Sequence, residues 1–452
     1  MLLLLAALSV GGAVGGVFVL FYIASKSRAQ RAAALITPEF CGKAFAERYG
    51  KTLSQCAVKS VDIPHIARCG DGKASTTDRV TLTVTWEHED ERKQAACPEQ
   101  MILKLSLLPW TLRLGASEAL IWFSGMLAEH VLRHVGLDFI VFYGLNFYQY
   151  YFPHAPDSMY ENETRFYREV RPALEAKHPD FEAPSVYGTI YDQSNHTFGV
   201  LMTDLAGPTK SAYFPNAAKD SLSVDHMRKI LKTLAVLHAE FWESPRITEK
   251  DGDLSWLPTP QKGGMEVVFH SIGRGLIRDH VRSHEFERKA LAPLGLSVDE
   301  LWEGLLRAEG VLSTPPLTLC HGDTHIQNTY VLPDGKVGLY DFQLSLKACW
   351  SRDVSYILGT AMLPEERKQH ERALLSFYLD CLREQGVVSV PSLEEAWRLY
   401  AQGMAWGLVI GWLICPPANY GEEIWLGNVN RLVAGCCHLD TFGQLGIKRK
   451  AA

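Results

Sequence analysis

Two aspartates eighteen residues apart, Asp323 and Asp341, lie within LCHGDTHIQNTYVLPDGKVGLYDFQ, the stretch from Leu319 to Gln343, and Asn328 follows closely on the first. One carboxylate can accept a hydroxyl proton. A second carboxylate with a carboxamide can hold Mg²⁺. Together they form the set needed to move a phosphoryl group from a nucleotide to an alcohol. A polar hairpin with ordinary turn acids is the plainer alternative, but it leaves unexplained why His-Gly-Asp, Asn and Asp-Phe-Gln fall together at this spacing.

These side chains need elements to position them. The apolar runs Tyr330–Leu332 and Val337–Tyr340 flank a Pro333-Asp334-Gly335 turn, which predicts a hairpin with each acid at a strand end, beside Asn328. Alternation from Arg79 to Trp86 predicts a strand, and Met101–Leu105 reads as a short apolar strand with Lys104 embedded in it. That lysine must pair or reach a ligand, because an unpaired buried ammonium is costly. Just before Arg79, the turn containing Gly70, Gly72 and Ser75 can aim backbone N–H groups at phosphate, although most such turns are only turns. Ile230, Leu234, Leu237 and Phe241 recur at helical spacing, so residues 226–242 should pack one face into a core, with His238 as a structural histidine. Residues 365–384 and 392–415 also read as helices, the second with a Ser392/Glu395 capping box. Its end, Met404–Cys415, is shorter than a bilayer span and should be buried.

His321-Gly322-Asp323, His325, Asn328 and Asp341-Phe342-Gln343 together resemble the catalytic motifs of the aminoglycoside phosphotransferase and choline kinase-like superfamily, nearest its ecdysteroid kinase-like branch. The resemblance runs from about Val61 onward and implies an α+β, bilobal protein-kinase-like fold. It implies ATP and Mg²⁺ as cofactors and a small molecule with a hydroxyl as acceptor. Asp323 would be the catalytic base, Asn328 and Asp341 the metal ligands, and Gly70, Gly72 and Ser75 a small phosphate loop. Lys104 would contact the nucleotide phosphates, supported by Glu163, with Glu161 and Glu169 as alternatives. His321 and His325 would brace the catalytic loop, and Asp353 would steady it. Gly199–Leu205 is similar to the strand and hinge that meet adenine. Gln343 stands where protein kinases have Gly, and the Gly loop is minimal. The alternative from another class is a catalytically weak, nucleotide-binding membrane scaffold.

A net charge of −6 and a pI near 6.3 argue against nucleic acid as partner. Ten cysteines without a CxxC pair read as reduced structural thiols. Leu2–Ala24 is uncharged and apolar, long enough to span a bilayer, and Lys26, Arg28 and Arg31 follow it. The expected organisation is therefore an anchor over 1–25, a linker over 26–60, an N-lobe over 61–205 with an aromatic-rich insertion (106–160), and a helical C-lobe over 206–452. The basic flank places the body in the cytoplasm, where ATP is supplied; a cleaved signal peptide is the rival reading and would want a basic start. Gly11/Gly15 and Gly12/Gly16 form two GxxxG pairs that permit a homodimer, or reflect glycine tolerance in a membrane helix. Core packing is the simplest explanation of the aromatic insertion, and an apolar lid or membrane-resting surface the alternative. Asn162 and Asn195 open N-glycosylation sequons. Lys448 and Lys450 resemble a dilysine retrieval signal to the endoplasmic reticulum, or a plain solvated basic tail.

Overall fold

The computed structural model describes residues 32–68, 78–95, 97–106, 118–138, 140–141, 157–179, 181–195, 197–415 and 417–448. The apolar run Leu2–Ala24 with its GxxxG pairs, the turn with Gly70, Gly72 and Ser75, about half of the aromatic insertion with most of its aromatic residues, and Lys450 lie outside them. Among the described residues no helix is long and apolar enough to cross a membrane.

The chain divides into two compact units, residues 1–115 with 186–204, and 116–185 with 205–452. The first is built on a five-stranded antiparallel sheet. Its strands are β1 (Val58–Arg68), β2 (Asp78–Trp86), β3 (Gln100–Leu105), β4 (Val186–Asp192) and β5 (Thr197–Thr203), in the order β1-β2-β3-β5-β4. The period of two is visible in what is buried. Val80, Leu82, Val84 and Trp86 point into the core from β2, and Met101, Leu103 and Leu105 from β3. Lys104 alternates with these and stands half-buried on the opposite face of β3.

The helix Pro38–Tyr49 covers the core face. Thr37 caps its start by accepting from the Phe40 amide, and Gly50 ends it in the left-handed region. Phe45 stacks on Trp86 at 5.0 Å, and a Cβ on Gly188 would come within 2.6 Å of Ala44 Cβ, so strand β4 lies close against the helix. Residues 26–60, expected as a linker, therefore supply part of this core. Cys41 and Phe45 are fully buried there, and a ring of that size contributes about 1.5–3 kcal/mol on burial.

The second unit is mainly helical. Residues 116–185, expected in the first lobe, pack with it for a visible reason. On the helix Asp157–Arg165 the Asn162 side chain donates to the carbonyls of Gln343 and Ser345, 2.8 Å each, and Phe166 stacks on Phe342 at 4.0 Å. Two small ladders carry the site: β6 (Leu317–Cys320) with β9 (Leu346–Cys349), and β7 (Thr329–Val331) with β8 (Val337–Leu339). The second is the expected hairpin. The Gly335 amide closes a turn onto Leu332 O with φ +79°, a conformation that suits glycine.

Around these ladders run the helices Val224–Glu240, Gly264–Ser283, Val298–Leu312, Pro364–Glu384, Leu393–Leu408 and Glu422–His438, and at the centre lies Ser351–Ala361, buried at every position. Ser392 caps its helix, while the reciprocal capping box occurs at Ser297/Glu300. Met404 to Ile414 is almost wholly buried, and its last turn, Val409–Leu413, widens into a π-helix. A β-rich unit and a helical unit match the α+β, two-lobed expectation.

Candidate active site

Strand β6 ends at Cys320 and delivers the loop His321–Asp323. Gly322 has φ +84°, and a Cβ there would lie 1.9 Å from Leu344 O, so only glycine fits between the loop and the segment after Asp341. The loop is held by Asp353 from the buried helix Ser351–Ala361. Asp353 Oδ2 accepts from the His321 amide at 2.6 Å, Oδ1 from the Gly322 amide at 2.8 Å, and the Asp353 carbonyl from the Thr324 hydroxyl at 2.8 Å. Burial alone would raise the Asp353 pKa, but its hydrogen bonds with His238 and the loop amides outweigh it and hold the carboxyl below its ordinary value. His238 lies 3.1 Å from Asp353 through Nε2 and 2.7 Å from the Tyr378 hydroxyl through Nδ1. It is structural, as its position on a core helix face suggested.

His321, Asp353, His238 and Cys320 crowd together, and the last three have the spacing of a metal cluster. Their lone pairs and protons are already spoken for, however: Asp353 by three donors, and the Cys320 thiol by contacts to the Ala348 and Cys349 carbonyls. They form a hydrogen-bonded brace.

His321 has one arrangement of protons that satisfies both ring nitrogens. Nε2–H donates to Tyr340 O at 2.9 Å, and Nδ1 accepts from the Asp323 amide at 3.2 Å. Only the neutral ring can do both. Burial accordingly depresses its pKa. The same ring lies 4.3 Å from Phe342, so one side chain ties the Asp323 loop to both sides of Asp341.

Asp323 lies beside Asn328, as expected. The Asn328 amide donates to the Asp323 carbonyl at 2.8 Å and to its Oδ2 at 3.0 Å. The amide hydrogens are thus spent, and Oδ1 is the atom left to serve as ligand. His325 Nε2 stands 3.6 Å from Asp323 Oδ2, and its ring meets Tyr356 and Trp412. Burial opposes ionisation of Asp323, yet His325, His321 and the Asn328 amide prevail and lower its pKa.

Asp341 follows β8 after a single residue, Tyr340. The Tyr340 amide donates to Asn328 O at 3.1 Å, which brings the backbone on either side of the hairpin into register. Asp341 itself has φ +67°, an uncommon state for a residue with a side chain and one that concentrates at functional sites. Carboxylate and carboxamide oxygens are hard donors suited to Mg²⁺. Asp341 and Asn328 therefore fit that ion.

Of the other expected site residues, Lys104 sits on β3 in the first unit and Glu163 is buried in the second. Sequence reasoning placed Arg352 in the motif with the loop-steadying Asp353 but gave it no role, and it missed Glu266, with which Arg352 forms a buried ion pair at 3.0 Å. Arg352 directly precedes Asp353, and a charged pair beside a loop-bracing aspartate was the available signal.

A profile of the ecdysteroid kinase-like family matches residues 153–386. No curated protein matches the chain. Among solved structures, an ethanolamine kinase of Plasmodium vivax is 13% identical, covering 85% of this chain and 84% of its own, with a TM-score of 0.39. The choline kinase of Streptococcus pneumoniae is 13% identical over 88% of this chain and 98% of its own, with a TM-score of 0.38. A microcompartment-associated aminopropanol kinase is 12% identical over 87% and 95%, with a TM-score of 0.39. The family match spans more than half of the chain and includes the loop His321–Asp323, Asn328, Asp341 and the bracing residues His238, Glu266, Arg352 and Asp353, while Lys104 lies before it. The chain belongs to the ecdysteroid kinase-like family.

Proposed function

We propose that this protein is an ATP- and Mg²⁺-dependent small-molecule kinase that transfers a γ-phosphate to a hydroxyl group. The observation that carries the reading is the Asp323–Asn328 pair, with one carboxylate held ionised beside a carboxamide whose oxygen is left for a cation. Mg²⁺ on Asp341 and Asn328 would neutralise charge on the β- and γ-phosphates.

Asp323 orients the acceptor hydroxyl by accepting its hydrogen bond. A carboxylate with a lowered pKa is a weak base, so it takes the proton fully only as the oxygen–phosphorus bond forms. His321 holds the Asp323 amide, and Asn328 holds the carboxylate itself. Lys104 and Glu163 take the nucleotide-holding roles that the family resemblance implies, with Gly70, Gly72 and Ser75 as the phosphate loop. Catalysis is then chiefly positioning and charge stabilisation. The acceptor belongs to the alcohol class that includes apolar, membrane-derived metabolites, and Leu2–Ala24 anchors the protein with its body on the cytoplasmic side.

The test is an ATP-dependent phosphorylation screen over a membrane extract, with Asp323→Asn as control. Acceptor labelling by the wild type that the variant abolishes supports the reading. Mg-ATP binding with no turnover on any hydroxylated metabolite would replace it with a nucleotide-binding scaffold.

A further inference from the structure

The peptide plane that joins Gly322 to Asp323 is held at both ends. Its N–H, the Asp323 amide, donates to His321 Nδ1 at 3.2 Å. Its carbonyl accepts two long hydrogen bonds from Arg352, 3.4 Å from Nε and 3.3 Å from Nη2. The preceding amide of Gly322 is bound by Asp353. Two consecutive residues of one buried helix therefore clamp the N–H and the C=O of the same glycine.

Arg352 has its own supports. Its side chain is fully buried, where an uncompensated cation costs several kcal/mol. Nη1 donates to Glu266 Oε1 at 3.0 Å, and the guanidinium lies 3.6 Å from the centroid of the Trp406 ring. Glu266 comes from the helix Gly264–Ser283 and Trp406 from Leu393–Leu408. Three helices thus converge on one cation, and that cation ends on one carbonyl oxygen, immediately before the catalytic aspartate.

Gly322 sits in the left-handed region, and glycine crosses its backbone map more freely than any other residue. A glycine is required there by the Leu344 carbonyl, which leaves no room for a Cβ. The cost of that requirement is a peptide plane whose rotation is opposed by its hydrogen bonds, a single one of 3.2 Å at the N–H end and the two from Arg352 at the oxygen. Rotation of that plane turns the Asp323 backbone and swings its carboxylate away from Asn328.

We propose that Arg352 is a positioning residue for Asp323: by holding the Gly322 carbonyl it fixes the peptide plane that aims the catalytic carboxylate, and Glu266 and Trp406 hold Arg352 in place. The proposal rests on the kinase reading for its consequence in turnover, but its structural content stands apart from it. Lysine cannot substitute. A single compact ammonium cannot stack on Trp406, pair with Glu266 and fork onto a carbonyl at once.

Hydrogen exchange read by mass spectrometry tests this on the full chain, in Arg352→Lys and Glu266→Gln. Glutamine keeps the shape of Glu266 and an acceptor for Nη1. Arg352→Lys should speed exchange in the peptide 317–326 by about tenfold and leave the peptide 364–384 unchanged; Glu266→Gln should give the smaller rise in the same place. Wild-type rates in 317–326, or an equal rise in both peptides, would overturn the proposal. In turnover, Arg352→Lys should lower kcat by about tenfold or more while the KM for ATP holds, because only the acceptor-side carboxylate has moved. A raised KM for ATP with unchanged kcat would contradict it. If the wild type phosphorylates no acceptor, the kinase reading fails, and the exchange rates still decide whether Arg352 braces the loop.

Discussion

Replacing Asp353 with Asn isolates what holds the loop His321–Asp323. The carboxylate accepts from His321 N at 2.6 Å, Gly322 N at 2.8 Å and His238 Nε2 at 3.1 Å, with its side chain fully buried. Asparagine keeps the volume but turns one acceptor oxygen into an NH₂. If that group replaces Oδ1 it faces the Gly322 amide; if it replaces Oδ2 it faces the His321 amide and His238. Either way a buried N–H loses its partner, at about 1–3 kcal/mol, and the remaining bonds lose their charge assistance. Removing one member of a buried charged network costs about 3–5 kcal/mol in total, and that is the expected loss of unfolding free energy. Urea denaturation at pH 7 measures it. The sign with pH follows from the lowered pKa of Asp353. Its stabilisation is present above the unfolded value of about 3.9 and lost as pH falls through the lower folded value, so the gap between wild type and variant should close in acid. A difference at pH 7 under about 1 kcal/mol would refute the claim that this carboxylate carries the loop.

Gly322→Ala should destabilise the protein by at least about 2 kcal/mol in the same assay, because it combines a left-handed backbone with a clash on Leu344 O; a neutral variant would show that the two loops are not in contact. Glu287 is buried with His284 Nδ1 3.3 Å from its Oε1, and burial pushes its pKa up to about 8. The folded state therefore keeps a proton that the unfolded chain loses from about pH 4.3, so wild-type stability should fall between there and pH 8. Glu287→Gln should remove most of that decline and be the more stable protein at pH 8, by on the order of 3 kcal/mol; identical pH profiles would count against it. Asn162 is buried with its amide bonded to two carbonyls, whereas Asn195 is exposed, so Asn195 is the reporter of membrane topology. With the body in the cytoplasm, expression in a eukaryotic cell should give no glycosidase-sensitive mass shift there, and a shift would reverse the proposed orientation.

The hairpin between the two acids was legible because a Pro-Asp-Gly turn between apolar runs has few other solutions, and the buried helix at Met404 because its apolar run is too short for a bilayer. Strand β2 announced itself by strict alternation. Residues 26–60 were harder: Cys41, Ala44 and Phe45 bury one face of a short helix in which charged residues are mixed with apolar ones, and nothing local reveals the sheet it covers. The placement of residues 116–185 with the second unit was hidden for a related reason. It depends on Asn162 meeting two carbonyls about 180 residues away and on a Phe166–Phe342 stack, contacts that no local pattern encodes. The candidate site divides in the same way. Asp323, Asn328 and Asp341 sit in one contiguous motif, while the brace formed by His238, Glu266 and Arg352 is assembled from three separate helices and becomes visible only once they are packed.

The account stands most directly on the role of Asp323. Once the extract screen supplies an acceptor, kcat and the Kd for Mg-ATP should be measured side by side in wild type and Asp323→Asn. The account predicts a fall in kcat of about 10²–10⁴-fold with nucleotide affinity unchanged, since this carboxylate meets the acceptor hydroxyl and not the phosphates. A variant that turns over at the wild-type rate would contradict it.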